Sequence, residues 1–308
     1  MRKDIPIGAP GYVGGSLGAA ALGLSTFMTQ YEAYQRFIGQ APEPDEETQK
    51  RFAIGHRGED MVSDLIEEFY HVRLRRSSLA YVDSEHPWLI CHPDRVAYLP
   101  NGERVPVEIK MASSYSARKW GEEDTDQIPY QYLVQCYFYH KTNVPNSGYM
   151  WQFTFADNQL RRYIIRFDEE LERKIFDRLI DVVENQWMKG IAPAPENVAD
   201  AKAMWFGETD GEIAADEDII KVLGRLRAVK EEQKALEKER DQLETQLIDF
   251  MQDYGTLVSP SDGSRLATYR MQKSTRFDSK AFREASRRNE RLYQEFQKTT
   301  SSMILRTN

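Results

Sequence analysis

Trp88-Leu-Ile-Cys-His-Pro-Asp94-Arg-Val-Ala-Tyr-Leu99 leads into Pro100-Asn101-Gly102-Glu103 and then Arg104-Val-Pro-Val-Glu108-Ile109-Lys110. Asn-Gly between two β-rich apolar runs signals a hairpin. Side chains alternate along a strand, so Glu108 and Lys110 share a face and Ile109 takes the other. Asp94 stands fourteen residues before Glu108. Two carboxylates and an ammonium thus gather at one end of the hairpin, the set that metal-dependent phosphodiester hydrolysis needs. The same residue types also make an ordinary solvated strand face. A strict two-residue turn at Asn101-Gly102 sets Asp94 opposite Ile109, on the wrong face. The expectation is therefore a bulge, placed at Pro106, which cannot donate to the ladder.

Upstream, residues 5–31 hold no charged side chain. Gly8, Gly11, Gly14, Gly15 and Gly18 interrupt this stretch, which argues against an export signal. There is no Gly-Lys-Ser/Thr and no preceding strand, which excludes a nucleotide loop. The turn Gly14-Gly15-Ser16 enters a small-residue helix over 17–25, with Ser16 read either as its N-cap or as part of an anion site. A helix over 26–39 ends at Gly39. Residues 40–47 read as a loop, and a second helix runs over 51–70. Its stripe of Val62, Ile66 and Phe69 steps back onto Glu59. An acid in line with an apolar stripe needs a partner unless the stripe ends exposed there.

Downstream, Ile128-Pro129 starts a helix over 130–140 that sets Gln131 and Gln135 four apart on one face. Strands follow over 150–155 and 161–167, then a helix over 168–187. The order predicts a mixed α/β (α+β) core with a central mixed sheet flanked by helices, ending near Pro193-Ala-Pro195. Over 216–254 the spacing changes. Val222, Leu226, Val229, Gln233, Leu236, Arg240, Leu243, Leu247 and Phe250 form a heptad seam on a helix of about 57 Å at about 1.5 Å per residue, and the polar interruptions Gln233 and Arg240 leave a helical hairpin or a helix packed on its own domain as alternatives to a zipper. A second hairpin around Asp262-Gly263 and a helix over 279–296 close the chain. Three parts are expected: a core over 1–205, a long coiled-coil-like helical segment over 206–255, and a small basic hairpin-plus-helix over 256–308.

The chain has 308 residues and a formal net charge of −8, with 41% hydrophobic and 29% charged side chains. That balance argues against a general nucleic-acid coat protein but leaves room for local basic contacts. Residues 206–255 carry 14 acids and 7 bases, whereas 256–308 carry 5 acids and 11 bases. Two cysteines, Cys91 and Cys136, make neither a disulfide framework nor a metal quartet and point to a reducing cytoplasm.

Taken together, Gly14-Gly15-Ser16, Gly55-x-x-Gly58-Glu59, Pro93-Asp94, Glu108-Ile109-Lys110 and Ile128-Pro129 ahead of Tyr132-Leu-Val-Gln135 resemble the YqaJ-like viral recombinase family. That family is related to lambda exonuclease within the PD-(D/E)XK nucleases. The resemblance covers residues 8–190, and the segment over 216–272 is similar to the C-terminal extension of many such phage proteins. It implies a restriction-endonuclease-like core. It also implies that Asp94 and Glu108, the Ile109 carbonyl and Glu59 hold Mg2+, with Mn2+ as a substitute. Lys110 would orient and help deprotonate the attacking water, and Gln135 would position Lys110 or the water. Ser16 matches a serine that holds a terminal 5′-phosphate, although the arginine that accompanies it has no counterpart just before Ser16.

The implied activity is a 5′→3′ exonuclease on linear double-stranded DNA, supplying single strands to a single-strand annealing protein in phage-type recombination. A cytoplasmic protein is expected, without membrane contact and with a homo-oligomer built in part on the heptad seam. The alternatives are an endonuclease of the same fold and a non-catalytic coiled-coil scaffold or DNA-binding protein.

Overall fold

The Asn-Gly hairpin forms, and its two arms lie inside a five-stranded mixed sheet. The computed structural model describes residues 1–144, 148–207 and 211–271. In chain order the elements are β1 (Arg2–Lys3), α1 (Gly15–Ala21), α2 (Gln30–Phe37), α3 (Glu46–Tyr70), β2 (Arg73–Arg75), β3 (Ala80–Val82) and β4 (Ile90–Cys91). Then come β5 (Arg95–Tyr98), β6 (Arg104–Met111), α4 (Ser114–Ala117), α5 (Tyr130–Lys141), β7 (Tyr149–Ala156), β8 (Gln159–Arg166), α6 (Glu169–Asn185) and α7 (Val198–Met204). The last are α8 (Glu217–Met251), β9 (Thr256–Val258) and β10 (Arg265–Thr268). The main sheet runs β2-β5-β6-β7-β8 and is antiparallel except for β6 against β7. That one parallel step needs a crossover, which α5 supplies.

The hairpin register differs from the expected one. Leu99 N–H donates to the Glu103 carbonyl (2.9 Å), leaving a three-residue loop, 100–102. Gly102 takes φ +86°, the left-handed residue such a loop requires. Tyr98 then pairs with Arg104 and Val96 with Pro106, with no shift between them. The bulge expected at Pro106 is absent. One more residue in the loop does its work, and the same register extended by two positions sets Asp94 against Glu108. Because Leu99 and Glu103 are a hydrogen-bonded pair, alternation makes Val96–Pro106 a non-bonded one. The proline nitrogen therefore turns away from β5, toward the side where β7 begins to pair only at Val107.

Helices cover both faces of this sheet. Val62 and Ile66 of α3 pack with Ala97, Val105, Val107 and Ile109 on one face. On the other, α1, α2, α5 and α6 share a core with Met150, Tyr163 and Ile165. Small residues bring α1 against α5: a Cβ on Gly15 would lie 2.9 Å from Gln135 Cα, and one on Gly18 only 2.3 Å from Phe138 Cζ. The small-residue run is thus a packing device first. Its N-cap is Gly14, and Ser16 lies inside the first turn rather than capping it.

The run over 88–99 is not one strand. His92-Pro93-Asp94 interrupts it, so β4 joins a second sheet, β1-β3-β4, while β5 joins the first. The second helix starts earlier than expected, at Glu46 with Asp45 as its cap, so part of the 40–47 loop is helical. Phe69, expected on its buried stripe, is exposed. The chain divides into two compact units, 1–205 and 206–308. In the second, α8 is a 35-residue helix and β9 pairs with β10. The helix expected over 279–296 lies outside the described residues. Among the described residues no helix is long and apolar enough to cross a membrane.

Candidate active site

Strand alternation and the hairpin register fix three of the expected residues. Glu108 and Lys110, two apart on β6, form an ion pair. Asp94 stands where β5 begins, and its carboxylate accepts a hydrogen bond from the Ile109 N–H (2.8 Å). Glu108 is 5% exposed, so this charge is buried and its partners matter. The Tyr139 hydroxyl donates to Glu108 and accepts from the Asp94 N–H (3.2 Å), tying α5 to both strands. Lys110 Nζ also lies 5.7 Å from the centre of the Tyr132 ring.

Glu59 arrives from α3 and is half-buried rather than at a free helix end. Two contacts bring that helix in. Gly58 abuts Met111 so closely that a Cβ would sit 2.8 Å from Met111 Cγ. Arg95 joins Asp60 at 2.5 Å and the Asp94 carbonyl at 2.7 Å. Gln135, 9% exposed, faces the same cavity. Its helical neighbour Gln131 does something else, accepting from the Thr26 N–H (2.8 Å) and hydroxyl (3.1 Å).

The charges shift one another. Loss of hydration, and then the Glu108 carboxylate, pushes the Asp94 carboxyl well above the usual range, with Lys110 pulling the other way. Burial raises Glu59, opposed by His56 and Lys110. For Lys110 burial alone would lower the pKa, but Glu108 and Asp94 outweigh it and the ammonium is held more firmly. Burial and Glu108 also push the Tyr139 hydroxyl far up, which keeps it a donor.

This donor set fits a hard divalent cation. Carboxylate oxygens are its preferred ligands, and positive charge would relieve the repulsion that now makes Asp94 a weak acid. Glu59, Asp94 and Glu108 do not all draw within 4.8 Å of one another; among the described residues only Asp83, Glu85 and His86 do. That second trio is committed elsewhere. Asp83 accepts from the Glu85 and His86 N–H groups, and His86 Nδ1 bonds Glu184 (2.7 Å).

Five of the sequence-derived residues, Ser16, Asp94, Glu108, Lys110 and Gln135, line one cavity of about 650 Å³, whereas Glu59 and Ile109 are not part of its lining. Sequence reasoning missed Tyr139, although it continues the four-residue step Gln131, Gln135, Tyr139 along one helix face. It also missed Arg36, which lines the same cavity as Ser16 from α2.

Fold and site together define a mixed α/β protein with a paired-carboxylate and lysine centre on a sheet hairpin. Residues 8–143, which span every cavity residue just named, match the model of the YqaJ-like viral recombinase domain. The resemblance carried by the motifs is borne out over that stretch. The chain is 25% identical over 283 residues to the uncharacterized protein YqaJ of Bacillus subtilis (strain 168), covering 88% of this chain and 84% of that one. Among solved structures, the alkaline exonuclease LHK-Exo from Laribacter hongkongensis matches at 15% identity, over 58% of this chain and 89% of that one. The TM-score is 0.45, and 0.46 for its complex with dAMP.

Proposed function

We propose that this chain is a metal-dependent deoxyribonuclease acting as a 5′→3′ exonuclease on linear double-stranded DNA, leaving single strands for an annealing protein in recombination. The observation that carries the reading is Asp94 bonded to the Ile109 N–H next to the Glu108–Lys110 ion pair, inside the stretch that matches the viral recombinase domain. Asp94, Glu108 and the Ile109 carbonyl would hold Mg2+ or Mn2+, with Glu59 contributing from α3. A cation bound there supplies Lewis acidity and lowers the pKa of a coordinated water.

The protein's own groups do the rest. Lys110, held protonated by Glu108 and Asp94, places positive charge where the scissile phosphate gains negative charge and orients the water. Tyr139 fixes the Glu108 carboxylate and the start of β5, so the donor atoms are preorganised. Gln135 offers an amide to the water or to Lys110 from the cavity wall. Ser16, with Arg36 in the same cavity, would take the terminal phosphate and set the end preference. The exposed apolar seam of α8 is proposed to pair with other copies of the chain.

Linear duplex labelled separately at each 5′ and 3′ end tests this reading. With magnesium, release should begin at the 5′ label, faster on 5′-phosphate than on 5′-hydroxyl ends, and a closed circular duplex should stay intact. Equal release with and without magnesium, or nicking of the circle, would contradict it.

A further inference from the structure

A cluster of arginines lies on the same face of the main sheet as Asp94 and Glu108, toward its open edge. Across the sheet Arg73 pairs with Tyr98, and Tyr98 with Arg104, so these three side chains share a face. Arg75, two residues along β2, joins them there, with its guanidinium 4.9 Å from the Tyr98 ring centre. Counting back by twos from Glu108 along β6 reaches Arg104, a separation of roughly 14 Å at about 3.4 Å per residue. The second sheet adds to the cluster. Arg2 stacks over Tyr81 at 4.7 Å, and the Tyr81 hydroxyl feels both Tyr98 and Arg104.

Arginine usually finds carboxylates, and in a chain of net charge −8 carboxylates are plentiful. Among the described residues, however, Arg2, Arg73, Arg75 and Arg104 form no ion pair. The nearest acid in sequence, Glu103, is occupied with Asn101. These are four exposed guanidinium groups, two of them stacked on tyrosine rings and none in an ion pair among the described residues: Arg73 and Arg75 on the edge strand β2, Arg104 on β6 and Arg2 on β1 of the second sheet. Stacking fixes the planes of the guanidinium groups while leaving their N–H donors free, the arrangement that suits bidentate contact with phosphodiester oxygens.

We propose that Arg73, Arg75 and Arg104, supported by Arg2, form a second anchoring surface for the sugar-phosphate backbone of duplex DNA, beyond the strand end held at the candidate active site. The inference rests on the nuclease reading for its substrate but concerns residues outside the catalytic cavity. Its contacts go to phosphates, so the surface adds affinity and register without sequence preference. It acts only on DNA long enough to reach past the cavity.

The test is equilibrium binding of a duplex by the full chain in EDTA over a salt series. The proteins compared are the wild type, the triple variant Arg73→Gln/Arg75→Gln/Arg104→Gln, and the charge-preserving triple Arg→Lys. Each phosphate contact contributes about 0.9 to the slope of log K against log salt, so the glutamine triple should lose about two to three from that slope. Its affinity should fall tenfold or more at roughly 0.15 M salt, while the lysine triple keeps most of the wild-type slope. Hydrolysis of a small chromogenic phosphodiester, too short to reach the cluster, should be the same in all three.

A glutamine triple that binds with wild-type affinity and slope, while all three proteins hydrolyse DNA, would overturn the anchoring surface and leave the nuclease reading intact. Slope loss in proteins that hydrolyse nothing would do the reverse. A wild type that does not bind duplex overturns the surface as well.

Discussion

At the scale of single residues, the candidate centre crowds two carboxylates together, with the Lys110 ammonium opposing their repulsion. Asp94 is half-buried beside Glu108, and its carboxyl is pushed up by lost hydration and by that neighbour. Replacing it removes a repulsion in the metal-free protein, a usual conflict between stability and activity. Asp94→Asn is therefore expected to melt at or above the wild-type temperature in EDTA. Magnesium should raise the melting temperature of the wild type, since a ligand at one hundred times its Kd stabilises by about 2.7 kcal/mol. It should leave Asp94→Asn nearly unmoved. A wild type whose melting temperature ignores magnesium would count against a metal centre here. Much of this centre was legible in the sequence: Asp94, Glu108, Lys110, Glu59 and Gln135 meet in or beside one cavity. Tyr139 and Arg36 were not, because aromatic and basic residues on amphipathic helices look like core and surface until tertiary packing shows what they face.

At the scale of elements, the hairpin carries the lesson about register. Asn101-Gly102 announces a turn, but the dipeptide does not say whether two or three residues form the loop. One residue of difference turns every side chain of an arm to the other face. The short strands β1 and β3 escaped for a simpler reason, since two or three residues hold no periodicity to read. The contact between α1 and α5 makes the firmest prediction at this scale. Phe138 is fully buried, so the ring that a Cβ on Gly18 would strike has no room to withdraw. An overlap this deep belongs at the upper end of overpacking costs, about 3 kcal/mol, so Gly18→Ala should destabilise by about 2 kcal/mol net of a propensity gain of about 1 kcal/mol. Urea unfolding should show a lower midpoint with an unchanged slope. A midpoint at the wild-type value would mean that the two helices do not pack as closely as described.

At the scale of the whole molecule, the apolar seam of the second unit is the feature that bears on assembly. Unit 1–205 holds the cavity and the buried core, whereas Val222, Val229, Leu236, Leu243 and Leu247 along α8 are all exposed. An apolar seam in water is a cost that association removes. Gln233 and Arg240 interrupt it, which sets register at some expense of strength. The expected outcome is a homo-oligomer at micromolar concentration, with a light-scattering mass that is a multiple of 35.8 kDa. A mass of one chain would remove the seam as an assembly surface.

The central claim is that Asp94, Glu108 and Lys110 are one hydrolytic centre. Single-turnover cleavage of linear duplex by folded Lys110→Ala and Glu108→Gln proteins, followed across a magnesium titration, tests it most directly. On that claim, removing the Lys110 ammonium deletes an interaction strengthened in the transition state. Its rate should fall by about two to three decades, or ~2.7–4 kcal/mol, with DNA binding nearly unchanged. Glu108→Gln should cut slowly and also demand more magnesium, because an amide oxygen is a poorer ligand than a carboxylate. Wild-type rates in both proteins, at the same magnesium midpoint, would contradict the account and make the hairpin a solvated charge pair.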